Sequence, residues 1–123
     1  MIQETILVVD DSPTEMRLVL SALAGHGHRI ITASNGDQAL EVARRELPAV
    51  VVLDVVMPGK NGFQVCRALK GAPETERIPV ILLTSKNQES DKYWGLKQGA
   101  DAYITKPFAD SELQSAIARL LSS

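Results

Sequence analysis

Five short apolar runs punctuate the chain: Ile6–Val9, Arg29–Ala33, Val50–Leu53, Val80–Leu83 and Ala102–Thr105. The first, third and fourth consist of Val, Ile and Leu with no polar residue alternating in. A strand that is apolar at every position has both faces covered, which is the pattern of a parallel sheet between helices. The second and fifth runs are more mixed, which suits strands at the edges of the sheet.

Between these runs the period changes. Met16, Val19, Leu20 and Leu23 stand at i, i+3, i+4 and i+7. Gly62, Val65, Cys66 and Leu69 repeat that spacing, as do Leu113, Ala116, Ile117 and Leu120. Each set predicts a helix with one buried stripe. The stretch Asp37–Leu47 carries Leu40, Ala43 and Leu47 on one side. Ser12-Pro13-Thr14-Glu15 reads as a capping box with proline at the first helical position, and Asn35 with Gln38 as a similar pair. Gly71 and Gly99 read as helix stops. The segment Gln88–Gln98 is the poorest helix: Tyr93, Trp94 and Leu96 form no stripe, and Gly95 costs about 1 kcal/mol against alanine. A helix is expected there nonetheless, because consecutive parallel strands need a crossover. Strictly alternating strands and helices predict a (βα)5 domain of the α/β class, with helices on both faces of the sheet.

The chain has 123 residues, room for one domain, and 45% of them are hydrophobic, enough for one core. Thirteen basic residues face fifteen acidic ones, a balance that argues against general nucleic-acid binding. Cys66 is the single cysteine, so no internal disulfide can form. No apolar run approaches the ~20 residues of a membrane span. Asp10 and Asp11 arrive too early for a signal peptide. A soluble cytoplasmic protein with no membrane partner is expected.

The residues that carry chemistry stand just past the strand ends: Asp10 and Asp11, Asp54, Thr84 with Ser85, and Lys106 before Pro107. Sites of α/β sheets form at the carboxyl ends of the strands. If the first, third, fourth and fifth strands are neighbours, three carboxylates, a hydroxyl and an ammonium meet there. Three carboxylates in one pocket repel each other and call for a counter-ion. An all-oxygen donor set suits Mg²⁺. Each residue alone has a plainer explanation: an aspartate favouring a helix N-terminus, a turn former, a loop threonine, a solvated lysine. The functional reading rests on their occurring together.

Four segments, Ile6-Leu-Val-Val-Asp-Asp-Ser12, Leu53-Asp-Val-Val-Met-Pro-Gly59, Leu83-Thr-Ser85 and Gly99-Ala-Asp-Ala-Tyr-Ile-Thr-Lys-Pro107, resemble the receiver domain of bacterial response regulators, the CheY-like family. The resemblance runs from about Thr5 to Leu121. It implies a flavodoxin-like sheet in the order 2-1-3-4-5. It also implies that Asp54 accepts a phosphoryl group and that Asp11, Asp54 and the backbone carbonyl of Val56 ligate Mg²⁺ (or Mn²⁺). Asp10 would act mainly through a water. Lys106 would pair with Asp54 and then with the phosphoryl oxygens. Thr84 would bond the phosphoryl group while Tyr103 swings inward, and the Lys106-Pro107 bond would be cis. Such a protein is a phospho-acceptor rather than an enzyme. Phosphorylation adds roughly two negative charges and three acceptor oxygens, enough to bias a two-state surface.

Val56 and Lys86, each two residues past a site residue, are expected to tune the phosphate's lifetime. In dehalogenase-type phosphatases an aspartate stands at the position of Val56; valine cannot transfer a proton, so an aspartyl-phosphate hydrolase is the weaker alternative. A scaffold that is never phosphorylated is disfavoured by the complete site. Leu120-Leu-Ser-Ser123 follows directly on the last helix, so one receiver domain over residues 1–123 with no output domain is expected. The implied partners are a CheA-like sensor histidine kinase and a target protein at the face formed by the fourth helix, fifth strand and fifth helix. Lys92, Tyr93 and Trp94 are candidate contacts there. A monomer is expected, or a dimer once phosphorylated. Asp11-Ser-Pro-Thr-Glu-Met16, His26-Gly-His28 and Thr84-Ser-Lys-Asn-Gln-Glu-Ser-Asp-Lys-Tyr-Trp-Gly95 are similar to single-domain regulators of the PilH and PixH type. Those serve chemotaxis-like systems in twitching motility or phototaxis, as signal carriers or phosphate sinks. His26 and His28 read as a turn and Cys66 as packing.

Overall fold

A computed structural model describes residues 3–122; Met1, Ile2 and Ser123, at the ends of the expected 1–123 span, lie outside the described residues. Five strands and five helices alternate: β1 (Thr5–Val9), α1 (Pro13–Leu23), β2 (Arg29–Ala33), α2 (Gly36–Glu46), β3 (Val50–Leu53), α3 (Gly62–Gly71), β4 (Val80–Thr84), α4 (Glu89–Lys97), β5 (Ala102–Thr105) and α5 (Asp110–Leu121). All pairings are parallel, in the order β2-β1-β3-β4-β5. The flavodoxin-like architecture and strand order are as expected. The two mixed runs are the two edge strands.

Strand alternation splits the core into two layers. Leu7, Val9, Val51, Leu53, Val80 and Leu82 face α2 and α3 through Ala39, Val42, Ala43, Val65, Cys66 and Leu69. Ile6, Val8, Val50, Val52, Ile81 and Leu83 face α1 and α5 through Val19, Ala22, Leu23, Leu113, Ala116 and Ile117. Each fully buried aliphatic side chain contributes about 1.5–3 kcal/mol through removal from water. The three central strands are therefore the rigid floor of whatever stands on their ends.

Several local expectations are corrected. Leu47 is 56% exposed and left-handed (φ 45°), outside the α2 stripe. It precedes Pro48, which disfavours the right-handed helical region in the residue before it, so α2 stops one residue short. The helix α3 does stop at Gly71, but as its last helical residue and not as a left-handed cap, the chain leaving in an extended conformation at Ala72. Gly99, at φ +101°, is the stop it was read to be. Asn35 caps the Gln38 N–H at 2.8 Å, but the Gln38 side chain reaches Ser34 instead of completing a box. A reciprocal box does form at Asn61 and Gln64.

Among the residues of α4, Gly95 alone is buried. Tyr93, Trp94 and Leu96 all point outward, Trp94 being 49% exposed. A β-carbon at position 95 would fall 2.9 Å from both Leu82 Cδ1 and Tyr103 Cδ2. The glycine that weakens the helix is what lets it lie against the sheet. No helix among the described residues is long and apolar enough to cross a membrane.

Candidate functional site

The sheet's hydrogen-bond ladder continues one residue past three strands and places the site. Asp10 N–H donates to Ala33 O (3.2 Å), Asp54 N–H to Val9 O (3.0 Å), and Lys106 N–H to Thr84 O (2.8 Å). These backbones are thus as fixed as the strands, while their side chains leave the layered core. Gly62 lets the start of α3 pack on the same edge, because a side chain there would collide with the Asp54 carbonyl. The Lys106-Pro107 bond is cis, as expected.

The polar side chains converge. One carboxylate oxygen each from Asp10, Asp11 and Asp54 lies within 4.8 Å of the others. Lys106 Nζ donates to Asp10 Oδ2 at 2.9 Å and stands 3.5 Å from Asp54 Oδ2. It also lies 3.8 Å from Glu15 Oε2. The Lys106 side chain is only 9% exposed, so it meets the buried Asp10 and Asp54 with little solvent between them, while Glu15 stays partly solvated. Asp10 uses both oxygens, since Oδ1 accepts the Ser12 N–H at 3.0 Å. Asp54 Oδ1 accepts the Val56 N–H at 3.2 Å.

Burial pushes the Asp54 carboxyl above its ordinary range, and the Asp10 charge adds to this; Lys106, the Val56 N–H and Thr84 pull the other way without prevailing. Burial alone would lower the Lys106 ammonium, but its hydrogen bond to Asp10 and the charges of Asp54, Asp10 and Glu15 hold it above its ordinary value. The pocket therefore holds an excess of negative charge beyond what one lysine offsets. An all-oxygen donor set of this kind fits a hard divalent cation.

Thr84 is fully buried, and its hydroxyl accepts the Lys86 N–H at 3.3 Å. The Tyr103 hydroxyl donates to the Lys86 carbonyl at 2.7 Å. One peptide segment after β4 is thus tied at one end to the acid cluster's threonine and at the other to the tyrosine. The Tyr103 ring lies against Gly95 of α4, and its hydroxyl is pushed up to about 12, by burial first and then by Asp91 and Asp54.

The structure brings together Asp10, Asp11, Asp54, Thr84 and Lys106, with Val56 at the rim, half exposed. The ammonium's shortest contact is to Asp10, whereas the resemblance implied Asp54. Glu15 was read as the far end of a capping box. Ser12 Oγ does accept the Glu15 N–H at 3.3 Å, but the Glu15 carboxylate turns to Lys106. Its place in the first turn of α1, four residues after the aspartate pair at a strand end, was the available signal. The backbone link through Lys86 carries no sequence signal, because a backbone group has no identity to read.

Two other motifs stay outside the site. His26 and His28 stack with ring centroids 6.4 Å apart, in a turn where Gly25 before His26 and Gly27 between the two histidines are at positive φ. Cys66 is packed against α4's end, its thiol bonded to Gln98 O and pushed up by burial to about 11. A thiol this protonated is a packing group.

Comparison with known proteins agrees with this geometry. Residues 6–118 match the model of the response regulator receiver domain. PilH of Pseudomonas aeruginosa is 50% identical over 117 residues, covering 95% of this chain and 97% of PilH. Several other curated relatives, such as the response regulator PleD of Caulobacter vibrioides and the transcriptional regulatory protein AfsQ1 of Streptomyces coelicolor, are longer, and the chain spans 25% and 50% of their length. The chemotaxis protein CheY4 of Vibrio cholerae superposes with a TM-score of 0.90 at 29% identity, over 98% of this chain and all of that one. The receiver domain of a P. aeruginosa sensor histidine kinase, whose structure has magnesium coordinated in its active-site cleft, superposes with a TM-score of 0.91 at 28% identity. It covers 99% of this chain and all of that one. The matched span takes in the whole acid cluster and all of the sheet but Thr5, and the chain belongs to the response regulator receiver domain family.

Proposed function

We propose that this chain is a stand-alone response regulator that takes a phosphoryl group from a sensor histidine kinase onto Asp54. In the transfer a carboxylate oxygen of Asp54 bonds to phosphorus, the donor's P–N bond breaks, and the imidazole keeps the electron pair. The observation that carries the reading is the convergence of Asp10, Asp11 and Asp54 within 4.8 Å beside Lys106. Asp11, Asp54 and the Val56 carbonyl would hold Mg²⁺ (Mn²⁺ suits the same donors). Asp10, with both oxygens already accepting hydrogen bonds, would act through water. When bound, such a cation supplies positive charge against the phosphoryl oxygens. Lys106 stands 3.5 Å from the accepting carboxylate and would shift toward the new oxygens.

The switch follows from the same contacts. Thr84 turning toward the phosphoryl group gives up the Lys86 N–H, which moves the segment whose carbonyl anchors Tyr103. The output would be read on the α4-β5-α5 face, where Lys92, Tyr93 and Trp94 stand at or near the surface. Likeness to PilH supports a cytoplasmic role in a chemotaxis-like pathway of pilus motility, with a CheA-like kinase as donor.

Incubation with acetyl phosphate and Mg²⁺ followed by intact mass spectrometry tests the assignment. One phosphoryl group should be added, and none to Asp54→Ala. Labelling of the Ala variant to the wild-type extent would refute it. Val56 argues against rapid hydrolysis, because it offers no group to move a proton. Val56→Asp is expected to shorten the phosphate's lifetime; an unchanged decay would remove that argument against a hydrolase.

A further inference from the structure

Glu15 is the charged group of this site to which the capping-box reading gives no chemical role. It sits in the first turn of α1, fixed by its own N–H to Ser12 Oγ, with its carboxylate 3.8 Å from Lys106 Nζ. Its side chain is 40% exposed, so it stands on the solvent side of the buried ammonium. The site thus gathers four carboxylates and one ammonium: Asp10, Asp54 and Glu15 lie within 3.8 Å of Lys106 Nζ, and Asp11 adjoins Asp10 and Asp54. Even a divalent cation leaves that set negative by one charge, the charge of Glu15. Glu15 also lines the outer cavity of about 690 Å³ between α1 and the start of α5, together with Leu18, Ser85, Lys106, Phe108 and Asp110. The two carboxylates of that cavity give any approach to Lys106 from this side an anionic rim.

We propose that Glu15 is a donor-selectivity residue: its carboxylate disfavours small, highly anionic phosphodonors at Asp54 by repulsion and by competing for Lys106. The inference rests on Asp54 being the phosphoryl acceptor. An acyl phosphate dianion must approach the site as a free anion and meets the full field. Phosphoramidate, with less net negative charge, meets less of it. A protein donor can offset the field with its own cationic groups. Because Glu15 is partly solvated, the effect should be graded and screened by salt.

Wild type, Glu15→Gln and Glu15→Asp would be compared in rate of mass gain with acetyl phosphate and with phosphoramidate, at low and high salt. Circular dichroism would confirm folding of each. Glu15→Gln is expected to gain roughly threefold to tenfold with acetyl phosphate at low salt, mainly through a lower half-saturating donor concentration. It should gain less with phosphoramidate, and the difference should shrink as salt is raised. Glu15→Asp, which keeps the charge, should retain wild-type selectivity. A gain equal for both donors, a gain insensitive to salt, or no gain would overturn the inference while leaving Asp54 as the acceptor. Absence of any Asp54-dependent mass gain in wild type would overturn both.

Discussion

Two aspartate–lysine pairs with the same 2.9 Å spacing sit at opposite ends of the sheet, and only one of them makes a site. At the amino ends of β4 and β5, Lys70 Nζ meets Asp101 Oδ2, which also accepts the Val80 N–H at 2.8 Å. The same ammonium donates to Ile78 O. One acid balances one base, and backbone groups take up the remaining hydrogen-bonding capacity. At the carboxyl ends Lys106 meets Asp10 at the same distance, but Asp54 and Glu15 also stand beside the ammonium and Asp11 adjoins the two buried aspartates. The ion pair itself is therefore uninformative. Reactivity lies in the surplus of buried anion, which a cation or a phosphoryl group's partners can use.

The largest contrast should appear in phosphoryl incorporation. Asp54→Asn should abolish it, while Asp101→Asn should leave its rate within about twofold, since distant sites act independently. Mass spectrometry of both variants would break the comparison if Asp101 mattered as much. Next in size is the stability of Lys106→Met. Removing the ammonium leaves buried carboxylates facing one another, at a cost of about 3 kcal/mol in urea unfolding with chelator present. That loss should shrink when Mg²⁺ is added, because ligand binding to the native state stabilises it. Asp101→Ala should lose about 1 to 2 kcal/mol by freeing the Val80 N–H, with no response to Mg²⁺.

The smallest effect carries the opposite sign. Asp54 has a folded-state pKa above its unfolded value, so the native state binds more protons than the unfolded chain between the two. Its contribution is destabilising above the folded pKa and disappears as pH falls below the ordinary carboxylate range. Asp54→Asn should therefore stabilise the metal-free protein at neutral pH by on the order of 1 kcal/mol. The gain should fade on acidification. Urea midpoints across that range would check the sign; a gain that grows toward low pH would contradict it.

Much of this was legible in order along the chain. Runs such as Val50–Leu53 are apolar throughout because both faces are covered, and that property is written residue by residue. Asp10, Asp54 and Lys106 could be placed at one edge because a residue following a strand is held by the next rung of the ladder. The ends of helices were read less well. Leu47 left its stripe under the influence of Pro48, and α3 ends at Gly71 without the left-handed cap a glycine allows, because caps depend on where the chain must go next.

By itself the amino-acid sequence determined the alternation of strands and helices, the two-layer core and the identity of the acids at the strand ends. These follow from local periodicity and from side-chain chemistry. Only the tertiary structure decided that Lys106 pairs first with Asp10, 96 residues away, and that Glu15 turns from its helix cap to join them. It also decided that α4 shows its aromatic residues to solvent and buries a glycine. Charges reach one another through space, and their distances are set by strand order and helix placement, which no single stretch of chain contains.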